Sequence, residues 1–198
     1  PEGAELLHAG AGCLLKFADY PLAELVDRID WTPFFRSWEL AGKFPAILED
    51  DVVGTEATRL YADAQAMLQQ MMAEKWVQAK ALVGFFPAQA EGDDIVVYAD
   101  TDRTRAHATL HNLRMQMDRN GQQPNYALSD FVAPKDAGRE DWIGAFAVST
   151  GFGIEPHLQA FRARHDDFSA ILLEALCDRL AEALAERIHE RVRREFWA

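Results

Sequence analysis

The sequence predicts an α+β fold: a central antiparallel sheet flanked by helices, closed by one long C-terminal helix. Three observations predict it. Apolar, β-rich runs bounded by Gly, Pro and Asp cluster mid-chain at 81–86, 95–98 and 142–148. Helical periodicity lies on both sides of them, first from Gly54 through Met72. The third is a Gly- and Pro-free run, Asp166 to Trp197, in which Phe168, Leu172, Leu176, Leu180, Leu184, Ile188, Val192 and Phe196 recur every fourth residue. Strands grouped between helices indicate segregated layers rather than alternating βαβ units.

Taken in order, residues 1–20 are small and Gly-rich and end at Tyr20-Pro21, which reads as a linker or peripheral helix. Residues 21–198 then form the domain proper. Leu22 to Ile29 reads as a short helix broken at Asp30-Trp31-Thr32-Pro33, and Phe34 to Leu48 as short packed pieces. Thr55 opens a capping pattern for a helix whose apolar face includes Leu60, Ala64, Leu68 and Met71. Ala81–Phe86, stopped by Pro87, and Ile95–Tyr98 form a hairpin around Gly92-Asp93. Asp130–Val132 is extended, Trp142–Val148 is a buried strand, and Pro156 opens another helix. Leu176, Leu180 and Leu184 are expected to face inward, with the long helix packed on the sheet.

Composition excludes several functions. The formal net charge is -12, and the one basic cluster, Arg187, Arg191, Arg193 and Arg194, is interleaved with Glu186, Glu190 and Glu195. No long basic face exists for nucleic acid, and an acidic surface disfavours anionic membranes. No stretch reaches the roughly 18 apolar residues of a membrane span. Cys13 and Cys177 make no disulfide framework, so a reducing cytoplasm is expected. The chain opens on Pro1 without Met, which reads as a piece of something longer.

No catalytic motif is present, and no metal site is expected. His107 and His111 have the i,i+4 spacing of a helical metal pair, but Ala108-Thr109-Leu110 is not helical and no carboxylate matches. His165-Asp166-Asp167 reads as a helix start, and Met67, Met71 and Met72 as core. The aromatics Trp31, Phe34, Phe35, Trp38 and Phe44 either stack an adenine or form a core satellite, and both readings stand. The row Asp178, Glu182, Glu186, Glu190 has the spacing of a solvated helix face.

Literal blocks carry more than spacing does. Asp30-Trp31-Thr32-Pro33-Phe34-Phe35 and Trp38-Glu39-Leu40-Ala41-Gly42-Lys43-Phe44-Pro45 are followed by Val83-Gly84-Phe85-Phe86-Pro87-Ala88 and Gly92-Asp93-Asp94-Ile95. Then come Leu128-Ser129-Asp130-Phe131-Val132-Ala133-Pro134-Lys135, Ile143–Val148 and His189-Glu190-Arg191-Val192-Arg193. In this order they resemble the activation domain of cobalamin-dependent methionine synthase over roughly residues 22–198.

The resemblance implies a domain that presents S-adenosylmethionine for reductive remethylation of cob(II)alamin. The cobalamin is held by a partner cobalamin-binding domain, and a flavodoxin-type donor supplies the electron. It implies contacts to S-adenosylmethionine from Asp30 and Glu182, two carboxylates suited to a sulfonium and an α-ammonium. The family's Arg-Pro-x-x-Gly-Tyr-Pro ligand loop, which follows the long helix, has no counterpart in residues 1–198. Weak ligand binding by this chain alone is therefore expected, and no catalysis in isolation. The competing expectation is an interaction module that keeps the fold without the ligand.

Overall fold

The computed structural model describes residues 3–9, 12–118 and 123–197. The elements are β1 (Glu5–Ala9), β2 (Gly12–Tyr20), α1 (Trp31–Ser37), α2 (Gly54–Ala73), β3 (Gln78–Glu91), β4 (Asp94–Tyr98), β5 (Ala106–Leu110), β6 (Asp141–Phe152), α3 (Glu155–Ala163) and α4 (Asp167–Arg191). The strands run β1-β2-β3-β4-β5 across the sheet, with β6 also paired to β3. The α+β prediction holds: an antiparallel sheet, flanking helices and a long C-terminal helix.

The chain divides into two compact units, and the division falls inside β2, β3 and β6. One unit comprises Pro1–Gly3, Phe17–Ala81 and Ala147–Ala198 and holds all four helices. The other comprises Ala4–Lys16 and Leu82–Phe146 and holds β1, β4 and β5 whole.

In the helical unit, α4 is the axis of the core. Leu172, Leu173, Leu176, Leu180, Leu184 and Ile188 are essentially inaccessible, as the stripe predicts. The flanks of the stripe are not covered: Phe168 and Ile171 are exposed. α4 contacts α1, α2 and α3, and Thr150 near the end of β6 donates to the Cys177 carbonyl at 2.6 Å. The helix therefore packs chiefly on other helices rather than on the sheet. Asp166 caps its start by accepting from the Ser169 amide at 3.1 Å, which confirms the expected helix opening. Past Arg191 the last turn widens over Val192–Phe196, with Trp197 N–H bonding to the Val192 carbonyl at 2.9 Å.

Several local expectations are corrected. Residues 5–20 form the β1–β2 hairpin, not a linker or peripheral helix, while Pro1, Glu2, Gly10 and Ala11 lie outside the described residues. Smallness there serves contact: a Cβ on Gly12 would stand 2.7 Å from the Phe86 ring. Leu22–Arg28 is two 3₁₀ turns rather than one helix. Asp30-Trp31-Thr32-Pro33 starts α1 instead of ending one, because Pro33 sits in a first turn where amides have no intrahelical partner anyway. α2 begins at Gly54, so Thr55 lies inside its first turn and caps nothing.

Pro87 lies within β3; the β3–β4 register begins one residue later, at Ala88↔Val97. Asp130 belongs to a 3₁₀ turn, Leu128–Phe131, and only Val132 is extended. β6 is longer than predicted and much of it is exposed, so it is not a buried strand. β5, the edge of the sheet, carries no buried position and so no apolar run announced it.

Candidate functional site

Asp30 is the N-cap of α1: its Oδ1 accepts the Thr32 amide at 2.9 Å, and the side chain is otherwise exposed. The helix it caps is anchored by aromatics. Trp31, Phe34 and Phe35 are buried, with Trp31 edge-on to Tyr61 at 5.0 Å and Phe35 stacked on Phe44 at 6.2 Å. That settles the aromatic cluster as core for these residues; Trp38 alone leans outward, 5.3 Å from Phe168 of α4.

Glu182 lies on α4, exposed, with Oε2 accepting from Arg179 Nη1 at 2.8 Å. Arg179 itself is largely covered, its side chain 17% exposed. Among the described residues, Asp30 Oδ2 and Glu182 Oε1 have no hydrogen-bond partner within the protein. Both carboxylates can therefore still accept from a cationic ligand.

Two clamps tie the Asp30 segment to α4. Upstream, Arg28 pairs with Glu190 at 2.6 Å; downstream, Trp38 meets Phe168. At about 100° per residue, Glu182 projects roughly 40° from Phe168 and roughly 80° from Glu190, so all three share one side of α4. At about 1.5 Å per residue, Glu182 stands roughly 12 Å along the axis from Glu190 and roughly 21 Å from Phe168. Asp30 is bracketed in sequence by the same clamps that bracket Glu182 on the helix.

An enclosed cleft of about 420 Å³ lies elsewhere in this unit, lined by Phe17, Tyr20, Glu24, Arg187, Arg191 and Glu195 among others. Its charges are spent internally. Arg191 is buried, lies over Phe17 at 4.9 Å and bonds Glu195 at 2.8–3.0 Å. Arg187 donates to Tyr20 Oη at 3.2 Å and to Glu190 at 3.0 Å. The arginines hold the Glu190 and Glu195 carboxyls below the usual carboxylate range.

In the other unit, His107 and His111 do not form a helical pair: His107 lies on β5, and His111 Nδ1 contacts Asp94 Oδ2 at 2.9 Å. No cluster able to hold a metal occurs among the described residues, and none of their helices is long and apolar enough to cross a membrane. Here Arg114 is the hub, meeting Asp93 at 2.7 Å and Asp130 at 2.7–2.8 Å. The guanidinium lowers the Asp130 carboxyl to about 2. Cys177, back in the helical unit, is pushed up to about 12 by burial, which makes it an inert thiol.

The profile of the family described as "Vitamin B12 dependent methionine synthase, activation domain" matches residues 21–198. A crystal structure described as the MetH reactivation domain bound to AdoHcy superposes with a TM-score of 0.86 at 48% identity. The match covers 100% of this chain and 58% of that one, so the chain spans little more than half of this relative's length. With the family profile over nearly its whole length, this chain belongs to the activation-domain family of vitamin B12-dependent methionine synthases.

Proposed function

We propose that this chain binds S-adenosylmethionine through Asp30 and Glu182 and presents it for reductive remethylation of cobalamin. The cobalamin is held by a separate domain of the synthase, and the electron comes from a flavodoxin-type partner. The observation that carries the reading is the double clamp, Arg28 to Glu190 and Trp38 to Phe168, which brackets both carboxylates along one side of α4.

The chemistry fits the ligand. S-adenosylmethionine supplies a methyl group on a sulfonium and carries an α-ammonium, so its reacting end is cationic. Each carboxylate offers a spare oxygen, and charge-assisted hydrogen bonds of this kind contribute about 1.5–3 kcal/mol each. AdoHcy, bound by the relative, lacks only the sulfonium methyl and its charge. Asp30 keeps the start of α1 fixed while its second oxygen faces solvent, so folding and binding draw on different atoms of one side chain.

A second reading, an interaction module without the ligand, draws on the Arg179–Glu182 pair, which already satisfies one of the two carboxylates. Chemical-shift mapping with millimolar S-adenosylmethionine separates the two. The proposal expects shifts centred on Asp30 and the middle of α4, with apparent affinity falling about 10- to 100-fold in Asp30→Asn and in Glu182→Gln. Asn retains the cap, so α1 stays formed. Unchanged affinity in both variants, or shifts confined to other surfaces, overturns it.

A further inference from the structure

Strand β5 ends the sheet order, and among the described residues no strand pairs with its outer side. All five of its residues, Ala-His-Ala-Thr-Leu, are exposed, with no Lys, Pro or carboxylate among them. Edge strands left to solvent are usually blunted by such groups. The chain that follows it exposes large apolar side chains: Leu113 at 90%, Met117 at 59%, Leu128 at 69% and Phe131 at 74%. An accumulation of this kind marks a binding surface rather than ordinary scatter.

These side chains are held outward on a fixed frame. Arg114, beside Leu113, bridges Asp93 on the β3–β4 turn and Asp130, beside Phe131. The Met115 amide bonds the Tyr126 carbonyl at 2.9 Å, and Asp130 also accepts the Ala127 amide at 2.9 Å. The polar network fastens the backbone while the apolar residues between its knots face away from it.

The 48%-identical relative has the same fold, yet this chain accounts for only 58% of its length. We propose that the edge of β5 and the Leu113–Phe131 surface receive polypeptide of the kind that makes up the remainder of that relative. The occupant is an extended segment that adds a strand to β5 and lays apolar side chains over Leu113, Leu128 and Phe131. The inference stands on this surface and on the relative's length, and is independent of Asp30 and Glu182.

Hydrogen exchange read by mass spectrometry over 106–110 tests it. The chain is measured alone, with the relative's unmatched residues added in trans, and with them fused in the order the relative carries them. The expected result is exchange at least about tenfold slower in the fused form, reversed by Leu113→Asp and Phe131→Asp. Both positions are exposed, so these variants leave the helical unit's near-UV circular dichroism unchanged. Exchange over 106–110 that the fused residues do not slow overturns the proposal, as does protection that survives both substitutions. Concentration-dependent protection of the chain alone overturns it too, because the occupant is then a second copy. Shifts at Asp30 under S-adenosylmethionine are read separately, so either proposal can fail without the other.

Discussion

All twelve of the largest fully buried side chains lie in the helical unit, from Leu25, Phe34 and Phe35 to Leu180, Leu184 and Ile188. Ten of the fifteen exposed large hydrophobics among the described residues lie in the other unit. That unit's interior is made of smaller groups, Val83, Ala88, Ala90, Ile95 and Val97. The Oγ of Ser129 is buried there without a hydrogen-bond partner in the protein. The helical unit has a finished core built around α4, whereas the sheet-rich unit keeps its large apolar residues for contact with something else. Composition alone hides this, because the same Leu and Phe serve burial in one unit and presentation in the other.

Four substitutions break or sharpen the contrast. Leu180→Ala removes a fully buried side chain from α4 and is expected to cost about 2–5 kcal/mol in urea unfolding. A cost below 1 kcal/mol means the helical core is loose. Thr150→Val removes the buried bond to the Cys177 carbonyl and leaves that oxygen unpaired, for about 1 kcal/mol or somewhat more by the same measurement.

Arg114→Ala acts on the sheet-rich unit through charge. Asp130 is held at about 2 against an ordinary 3.8, chiefly by Arg114. A depressed carboxyl stabilises the fold above its unfolded pKa, and that contribution is lost as pH falls from about 4 through 2. In the variant, carboxyl NMR shows Asp130 titrating closer to its ordinary value, and acid loosening of residues 112–131 begins at higher pH. The smallest effect is Leu113→Ala, within about 0.5 kcal/mol of the parent. A cost above 2 kcal/mol there erases the distinction between the two units.

The sequence announces α4 because its inward stripe is long and uninterrupted, so periodicity has many chances to agree. β4 and its turn are announced by Gly92-Asp93 between apolar runs. The β1–β2 hairpin is invisible by composition: Gly12 is there for a close ring contact, which only the folded partner reveals. β5 leaves no trace because all its positions are exposed and strand patterning needs a buried face. Of the site, the local role of Asp30 as a cap is legible from its place before Trp31-Thr32-Pro33. Its association with Glu182 comes from family resemblance, since nothing near either residue points across the intervening chain. The clamps Arg28–Glu190 and Trp38–Phe168 are beyond reach of the sequence, being ordinary residues made significant by where the chain returns.

The widened turn at Val192–Phe196 also says something about how this chain tolerates change. A wide turn holds one more residue than an α-helical turn, so it behaves as a fixed-length spacer. Its wider pitch brings the Phe196 ring within 6.5 Å of Phe17 and 5.4 Å of the Arg191 guanidinium. Exchanging Arg193 or Arg194, both exposed, for other helix-compatible residues leaves that spacing intact. Deleting either one returns the turn to ordinary α-helix and rotates everything after it by about 100°. Phe196 then swings away from Phe17, and Arg191 loses an aromatic neighbour. The segment is permissive to substitution and intolerant of a single-residue change in length, a constraint written in counting rather than in chemistry.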